Sequence, residues 1–155
     1  MKKLQLLKPN DHRLRAKNAD ITRFDKQLLE NVRQLNAIMV KERGVGIAAP
    51  QCGWNVRVAI IGTPLDRSWQ QTTVMINPTL IAASGMQESN EGCLSVPKKL
   101  VKIDRPDTVE VEWQNMEGRK LRKIVTGYPA TVVMHELNHL ESVLITDHEK
   151  ENIWT

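Results

Sequence analysis

Residues 128–144 read YPATVVMHELNHLESVL, and this is the most informative stretch of the sequence for the fold. Its apolar side chains recur at steps of three and four residues, the spacing of one face of an α-helix. They are Val132, Val133, Leu137, Leu140 and Leu144. Pro129 suits the first turn, where a missing N–H costs nothing. The stretch therefore predicts a helix, capped by Thr126 or Gly127.

The predicted helix carries His135-Glu136-Leu137-Asn138-His139, an HExxH motif. Residues four apart on a helix lie on one face, so His135 and His139 can bind one divalent metal ion. Glu136 between them can take a proton from a water molecule on that metal. Both histidines lie within an otherwise apolar stripe, which favours this interpretation. The alternative is a helix with two exposed histidines and a solvated glutamate.

A metal site of this kind needs a third protein ligand. One known downstream pattern requires Gly and His where this chain has Ser142 and Ile145, and a second, with a distant glutamate, fits poorly. An upstream ligand remains, and Cys93 in the stretch 91–95, EGCLS, is the candidate. A thiolate beside two imidazoles suits iron, zinc or nickel. The alternative for Cys93 is a small buried side chain.

A third informative stretch is GVGIAAPQ, residues 44–51. Its glycines and alanines let the backbone approach another group closely. The stretch lacks the pattern of a phosphate-binding loop, and the alternative is a tight connection between a helix and a strand. The Gln51 amide at its end can donate a hydrogen bond to an oxyanion.

The composition of the 155-residue chain is 41% hydrophobic and 26% charged, as in ordinary globular domains. It excludes a disordered protein, a collagen and a membrane bundle. Residues 25–43 predict an amphipathic helix that stops at Gly44. Short β-like runs, separated by turns such as Asn77-Pro78, are predicted at 56–61, 73–76, 79–83, 108–113 and 120–125. We therefore expect one α+β domain over residues 1–155, with mostly antiparallel strands around the HExxH helix and an N-terminal helix.

The distribution of charged residues says less about function than the motifs do. The net charge is +4, but the chain has few aromatic residues and no basic stripe, so a nucleic-acid-binding domain is disfavoured. Lys98, Lys99 and Lys102 form a local basic patch. It is interpreted as a solvated loop, with contact to a nascent chain or RNA as the alternative. The N-terminus fails as a signal peptide and no stretch reaches transmembrane length, so we expect a cytoplasmic protein.

The three motifs, in this order, resemble those of the peptide deformylase family, and the resemblance covers nearly the whole chain. It implies removal of the N-formyl group from formyl-methionyl peptides or nascent proteins, with release of formate. It implies Cys93, His135 and His139 as metal ligands, with water in the fourth position. The implied metal is Fe(II), with Zn or Ni as substitutes.

The resemblance also implies roles for other residues. Glu136 would move the proton, while the Gln51 side chain and the backbone N–H of Leu94 would hold the formyl oxygen. The predicted substrate-binding residues are Val45, Gly46, Gly92, Tyr128, Thr131 and Val132. Of these, Val45 and Gly46 would pair with the peptide as an added strand, and the helix residues would wall the methionine pocket.

Three positions depart from the usual family pattern: Met134 in place of Gln, Asn138 in place of Asp, and Ser142 in place of Gly. The replaced Asp would pair with an arginine matched here by Arg105. We expect activity, because the predicted ligands and Glu136 are intact. The alternatives are a catalytically impaired deformylase-like binding protein and, more remotely, a different HExxH metallopeptidase.

Little sequence follows Lys150, which resembles minimal deformylases, including those of bacteriophages. Bacterial members usually continue into a C-terminal segment that docks at the ribosome. We therefore expect a monomer that contacts the ribosome transiently, without a tail helix, in the cytosol of a bacterium or of a phage-infected host.

Overall fold

The computed structural model describes residues 3–152, with side chains as far as His148. The strands in this part of the chain are β1 (Gly46–Ala48), β2 (Val58–Ile61), β3 (Thr73–Ser84), β4 (Gln87–Cys93), β5 (Val96–Arg105), β6 (Thr108–Gln114) and β7 (Lys120–Thr126). The α-helices described are α1 (Lys26–Lys41), α2 (Tyr128–Leu140) and α3 (Ile145–Asn152). None of these helices combines the length and the apolar character needed to cross a membrane.

The strands form two separate sheets. Five of them pair in the order β1-β2-β3-β6-β7, while β4 and β5 form a two-stranded hairpin. All pairings between these strands are antiparallel. The predicted α+β class with mostly antiparallel strands is therefore confirmed.

Helices α1 and α2 cover opposite faces of the larger sheet. Val58 and Ile60 of β2 pack in one core cluster with the buried side of α1. Ile61 packs in a second cluster with the buried side of α2. Alternate residues of a strand point to opposite faces, so β2 separates the two helices. This layering brings α2 against β1 and β2, beside the edge of the sheet.

The two ends of α1 follow from local hydrogen bonds. The Asp25 carboxylate accepts the N–H of Leu28 at 3.0 Å and caps the first turn. At the other end Gly44 donates to the carbonyl of Met39 at 2.9 Å, and Arg43 donates to that of Val40 at 3.1 Å. Arg43, at φ 56°, is the residue in the left-handed region where this helix-ending motif usually has glycine.

The structure corrects two strand predictions. The runs at 73–76 and 79–83 are one strand, β3, and the predicted turn at Asn77-Pro78 is an irregularity inside it. Asn77 takes φ 51° there, a conformation that asparagine tolerates better than most residues. The hairpin of β4 and β5 was not predicted, since its mostly exposed residues lack a regular alternation of apolar and polar side chains.

Candidate metal and substrate site

Three predicted ligand residues meet where the end of β4 faces α2. The ligand atoms of Cys93, His135 and His139 all lie within 4.8 Å of one another. The Cys93 sulfur is 3.3 Å from Nε2 of His139. Strand β4 supplies the thiol and α2 supplies both imidazoles, so the cluster joins the hairpin to the helix.

Glu91 orients His135. Its Oε1 lies 2.8 Å from Nδ1 of His135, which places the ring proton on Nδ1 and leaves the Nε2 lone pair for a metal. Burial lowers the pKa of His135, but hydrogen bonds with Cys93 and Glu91 outweigh it and raise that pKa to about 10. Burial lowers the pKa of His139 well below its ordinary value, which favours the neutral form that binds metals.

A buried ion pair holds Glu91. Arg105 donates from Nε and from its terminal nitrogen to the two oxygens of Glu91, both at 2.8 Å. Burial raises the pKa of Glu91, but hydrogen bonds from Arg105 and His135 lower it to about 2. Glu91 therefore stays ionised and keeps accepting from His135.

The structure shows the local contacts of the three residues that depart from the family pattern. Asn138 accepts a hydrogen bond from Arg105 through its side-chain oxygen, a role that needs no negative charge. Met134 packs against the core cluster under α2. Ser142 lies at φ 63°, a conformation that favours glycine, and its hydroxyl donates to the carbonyl of Ala16 at 2.9 Å. None of these three side chains displaces a predicted ligand.

Glu136 is the one carboxylate of the described residues that is buried without a hydrogen bond, at its Oε2. Its side chain is 3% exposed, and burial raises its pKa to about 7. A Cβ added at Gly46 would lie 2.6 Å from Oε1 of Glu136. Gly46 is therefore glycine because β1 and the carboxylate approach each other closely.

The Gln51 amide is held in one orientation. Its oxygen accepts the N–H of Ala48 at 2.8 Å, so its nitrogen must face the other way. That nitrogen lies 3.2 Å from the Ser95 hydroxyl and 3.6 Å from the Cys93 sulfur. Gln51 thus presents N–H groups beside the cluster of Cys93, His135 and His139. Leu94 directly follows Cys93 in the chain and lines the cavity over the same cluster.

A cavity of about 550 Å³ opens over this cluster. Its lining includes most of the predicted site residues, namely Val45, Gly46, Gln51, Gly92, Cys93, Leu94, Tyr128, Thr131, Val132, His135 and Glu136. His139 lies beneath the cavity and is 2% exposed. The structure therefore brings the predicted residues together, although the role of each stays a prediction.

Sequence reasoning missed other residues at this site. Glu91 and Ser95 flank Cys93 and were not assigned roles, although their place in the same short motif was a signal. Arg43 also lines the cavity, together with Lys98 and Lys99 from the basic patch. No pattern in the sequence placed Arg43 at the same cavity as that patch.

A mostly antiparallel α+β fold with a Cys–His–His cluster and a buried HExxH glutamate defines a metal-dependent hydrolase. Comparison with known proteins then gives the family: the family model for polypeptide deformylase matches residues 3–152, so the chain belongs to the peptide deformylases.

Similar proteins and solved structures also carry the name peptide deformylase. The chain is 33% identical over 151 residues to peptide deformylase 1B, chloroplastic, of Solanum lycopersicum, covering 97% of this chain and 54% of that protein. The crystal structure of the class I type b peptide deformylase from Acinetobacter baumannii, with Met-Ala-Ser bound, superposes with a TM-score of 0.87 at 29% identity, covering 95% of this chain and 98% of that one. A probable peptide deformylase of Synechococcus phage S-SSM7 gives a TM-score of 0.86 at 32% identity, covering 94% and 99% of the two chains.

Proposed function

We propose that this chain hydrolyses the formyl amide of N-formyl-methionyl peptides and releases formate and a free amino terminus. The observation that carries the proposal is the position of the buried Glu136 carboxylate beside the cluster of Cys93, His135 and His139, at the base of an open cavity. The names of the relatives support the same reaction.

The donor set fits a resident metal ion. One sulfur and two imidazole nitrogens lie close enough to share one cation, and Glu91 fixes the tautomer of His135. A thiolate with two imidazoles suits Fe(II), and equally Zn or Ni. We propose Fe(II) as the native metal. When bound, the cation supplies Lewis acidity to the formyl oxygen and to water.

Glu136 is the proposed proton carrier. With a pKa near 7, its carboxylate can take a proton from the attacking water and later return it. Water adds to the formyl carbon, the C–N bond breaks, and the proton passes from Glu136 to the leaving amine. The close approach of Gly46 confines the carboxylate and leaves little room for bulk water around it.

The formyl oxygen gains negative charge as water adds. The Gln51 amide nitrogen and the backbone N–H of Leu94 are the proposed donors to this oxygen. Because Ala48 already holds the Gln51 oxygen, the amide need not reorganise as the charge develops.

The peptide is proposed to bind along β1. This strand lies at the edge of the five-stranded sheet, so its outer backbone groups can pair with an extended peptide at Val45 and Gly46. Gly92 of β4 lines the other side of the cavity, and Tyr128, Thr131 and Val132 of α2 form the proposed methionine pocket. We also propose that the chain acts as a single-domain monomer in the cytoplasm, with at most transient contact to the ribosome.

The test is formate release from formyl-Met-Ala-Ser by protein purified without oxygen, beside the variant Glu136→Gln. We expect one metal ion per chain in both proteins and a rate at least 100-fold lower in the variant. Metal-loaded protein without formate release would instead favour the catalytically impaired binding protein. Full activity in Cys93→Ala would favour a different HExxH metallopeptidase.

A further inference from the structure

The exposed charges that line the cavity are all positive. Among the described residues, the arginine, lysine and glutamate side chains of its lining are Arg43, Lys98, Lys99, Glu91 and Glu136. Both glutamates are buried, at 6% and 3% exposed, and Glu91 is paired with Arg105. Arg43 and the two lysines are exposed. A peptide entering the cavity therefore meets cationic side chains at the entrance.

The cations come from separate elements that line the cavity. Arg43 lies between α1 and β1, just before the edge strand along which the peptide is proposed to bind. Lys98 lies near the start of β5, in the hairpin that also lines the cavity. Lys102 differs, since its ammonium is 3.1 Å from a carboxylate oxygen of Glu88 on the neighbouring strand.

The backbone at Arg43 and Lys98 is an independent observation. Their φ angles are 56° and 61°, in the left-handed region where the Cβ of most residues crowds the backbone, so that glycine, asparagine and aspartate are favoured there. Residues held in such conformations concentrate at functional sites. At both positions the chain keeps a long cationic side chain where glycine or asparagine would relieve strain.

Resting on the proposed function, we propose that Arg43 and Lys98 are specificity determinants that favour formyl-methionyl peptides with an acidic side chain in the three residues after methionine. An extended peptide presents alternate side chains to opposite sides, so an Asp or Glu at one of these positions passes close to a cation. Exposed charge pairs are weak, and one pair changes kcat/KM by about two- to fivefold at low salt.

The experiment compares formyl-Met-Ala-Ala-Ala with peptides that carry a single Asp or a single Lys at position 2, 3 or 4. We expect the kcat/KM ratio of Asp to Lys peptides to exceed 2 at one position or more, and to shrink in 0.5 M salt because exposed charges are screened. Ratios near 1 at all three positions, with the neutral peptide hydrolysed normally, would overturn the specificity proposal alone. No hydrolysis of the neutral peptide would overturn the proposed function.

Variants identify the residues responsible. Asparagine and aspartate tolerate the left-handed backbone, so Arg43→Asn and Lys98→Asn remove charge without new strain, and Lys98→Asp reverses it. We expect each Asn variant to lower the Asp-to-Lys ratio and Lys98→Asp to lower it further, while thermal stability is kept or raised.

The control is Lys26→Glu, which changes the net charge by the same amount as Lys98→Asp. Lys26 is exposed at the first position of α1, and the 16 residues of that helix separate it from Arg43 by about 24 Å. An unchanged ratio in Lys26→Glu supports a local effect. An equal drop in the control would assign the preference to net charge and contradict the proposal.

Discussion

Glu91 is a single residue on which the ligand geometry depends. It accepts from His135 and is held by two hydrogen bonds from Arg105, all within a region of low exposure. Breaking a buried ion pair costs more than the pair itself contributes, because the partner is left buried and uncompensated. Arg105 is 3% exposed, so its positive charge would stay buried without a counter-ion if Glu91 were neutral.

We expect Glu91→Gln to lower the free energy of unfolding by about 3 kcal/mol and to weaken metal binding by 10- to 100-fold. Urea unfolding and competition with a chelator measure the two effects. Glu88→Gln is the control on the same strand, since Glu88 and its partner Lys102 are both about 60% exposed and such pairs contribute at most about 1 kcal/mol. Equal losses in both variants would contradict a special role for Glu91.

At the scale of secondary structure, α3 supports the hairpin that carries Cys93. Ile145, the first residue of α3, is 2% exposed and packs with Val96, Val101 and Ile103 of β5. Cys93 packs against the same cluster. The preceding residue, Leu144, packs elsewhere, with Leu7 and Leu14. Two adjacent apolar side chains thus pack in different core clusters.

We expect Ile145→Ala to destabilise the protein by about 2–4 kcal/mol and to speed amide hydrogen exchange in β4 and β5. Leu144→Ala removes a side chain of equal size and should cost a similar amount without that local effect on the hairpin. Hydrogen exchange followed by mass spectrometry separates the two variants. Similar exchange patterns in the hairpin would show that Ile145 does not hold it specifically.

At the scale of the whole molecule, the ligand cluster connects two parts of the fold that otherwise belong to different sheets and layers. Cys93 ends the hairpin, while His135 and His139 belong to the helix packed on the five-stranded sheet. A metal ion held by all three would bind the native state more tightly than the unfolded chain, in which these side chains are far apart. Its removal should therefore lower stability through mass action.

At a metal concentration 100 times Kd, the bound ion adds about 2.7 kcal/mol to the free energy of unfolding. We therefore expect its removal by a chelator to lower Tm by about 5–10 °C. Differential scanning calorimetry with and without added Zn or Fe(II) measures the shift. Cys93→Ala should lose the metal-dependent shift, and Cys52→Ala should keep it, because Cys52 is buried in another cluster. A shift of the same size in Cys93→Ala would show that the thiol is not a ligand.

The candidate site could be predicted from the sequence where its residues are neighbours along the chain. His135 and His139 share a helix face because of their spacing, and the order of three short motifs connected them with Cys93 and Gln51. Glu91 and Arg43 were not given roles. Glu91 and its partner His135 are 44 residues apart in the chain, and Arg43 and Lys98 belong to separate elements that line the same cavity.

Local sequence determined the helical periodicity, the types of the candidate ligands and the family pattern, because a helix repeats every few residues and donor chemistry belongs to individual side chains. Only the tertiary structure decided that β3 is continuous through Asn77, that β4 and β5 pair, and that Glu91 lies between Arg105 and His135. These features depend on strand register and on buried polar groups finding partners far along the chain. Such contacts are set by packing of the whole fold, which no local spacing encodes.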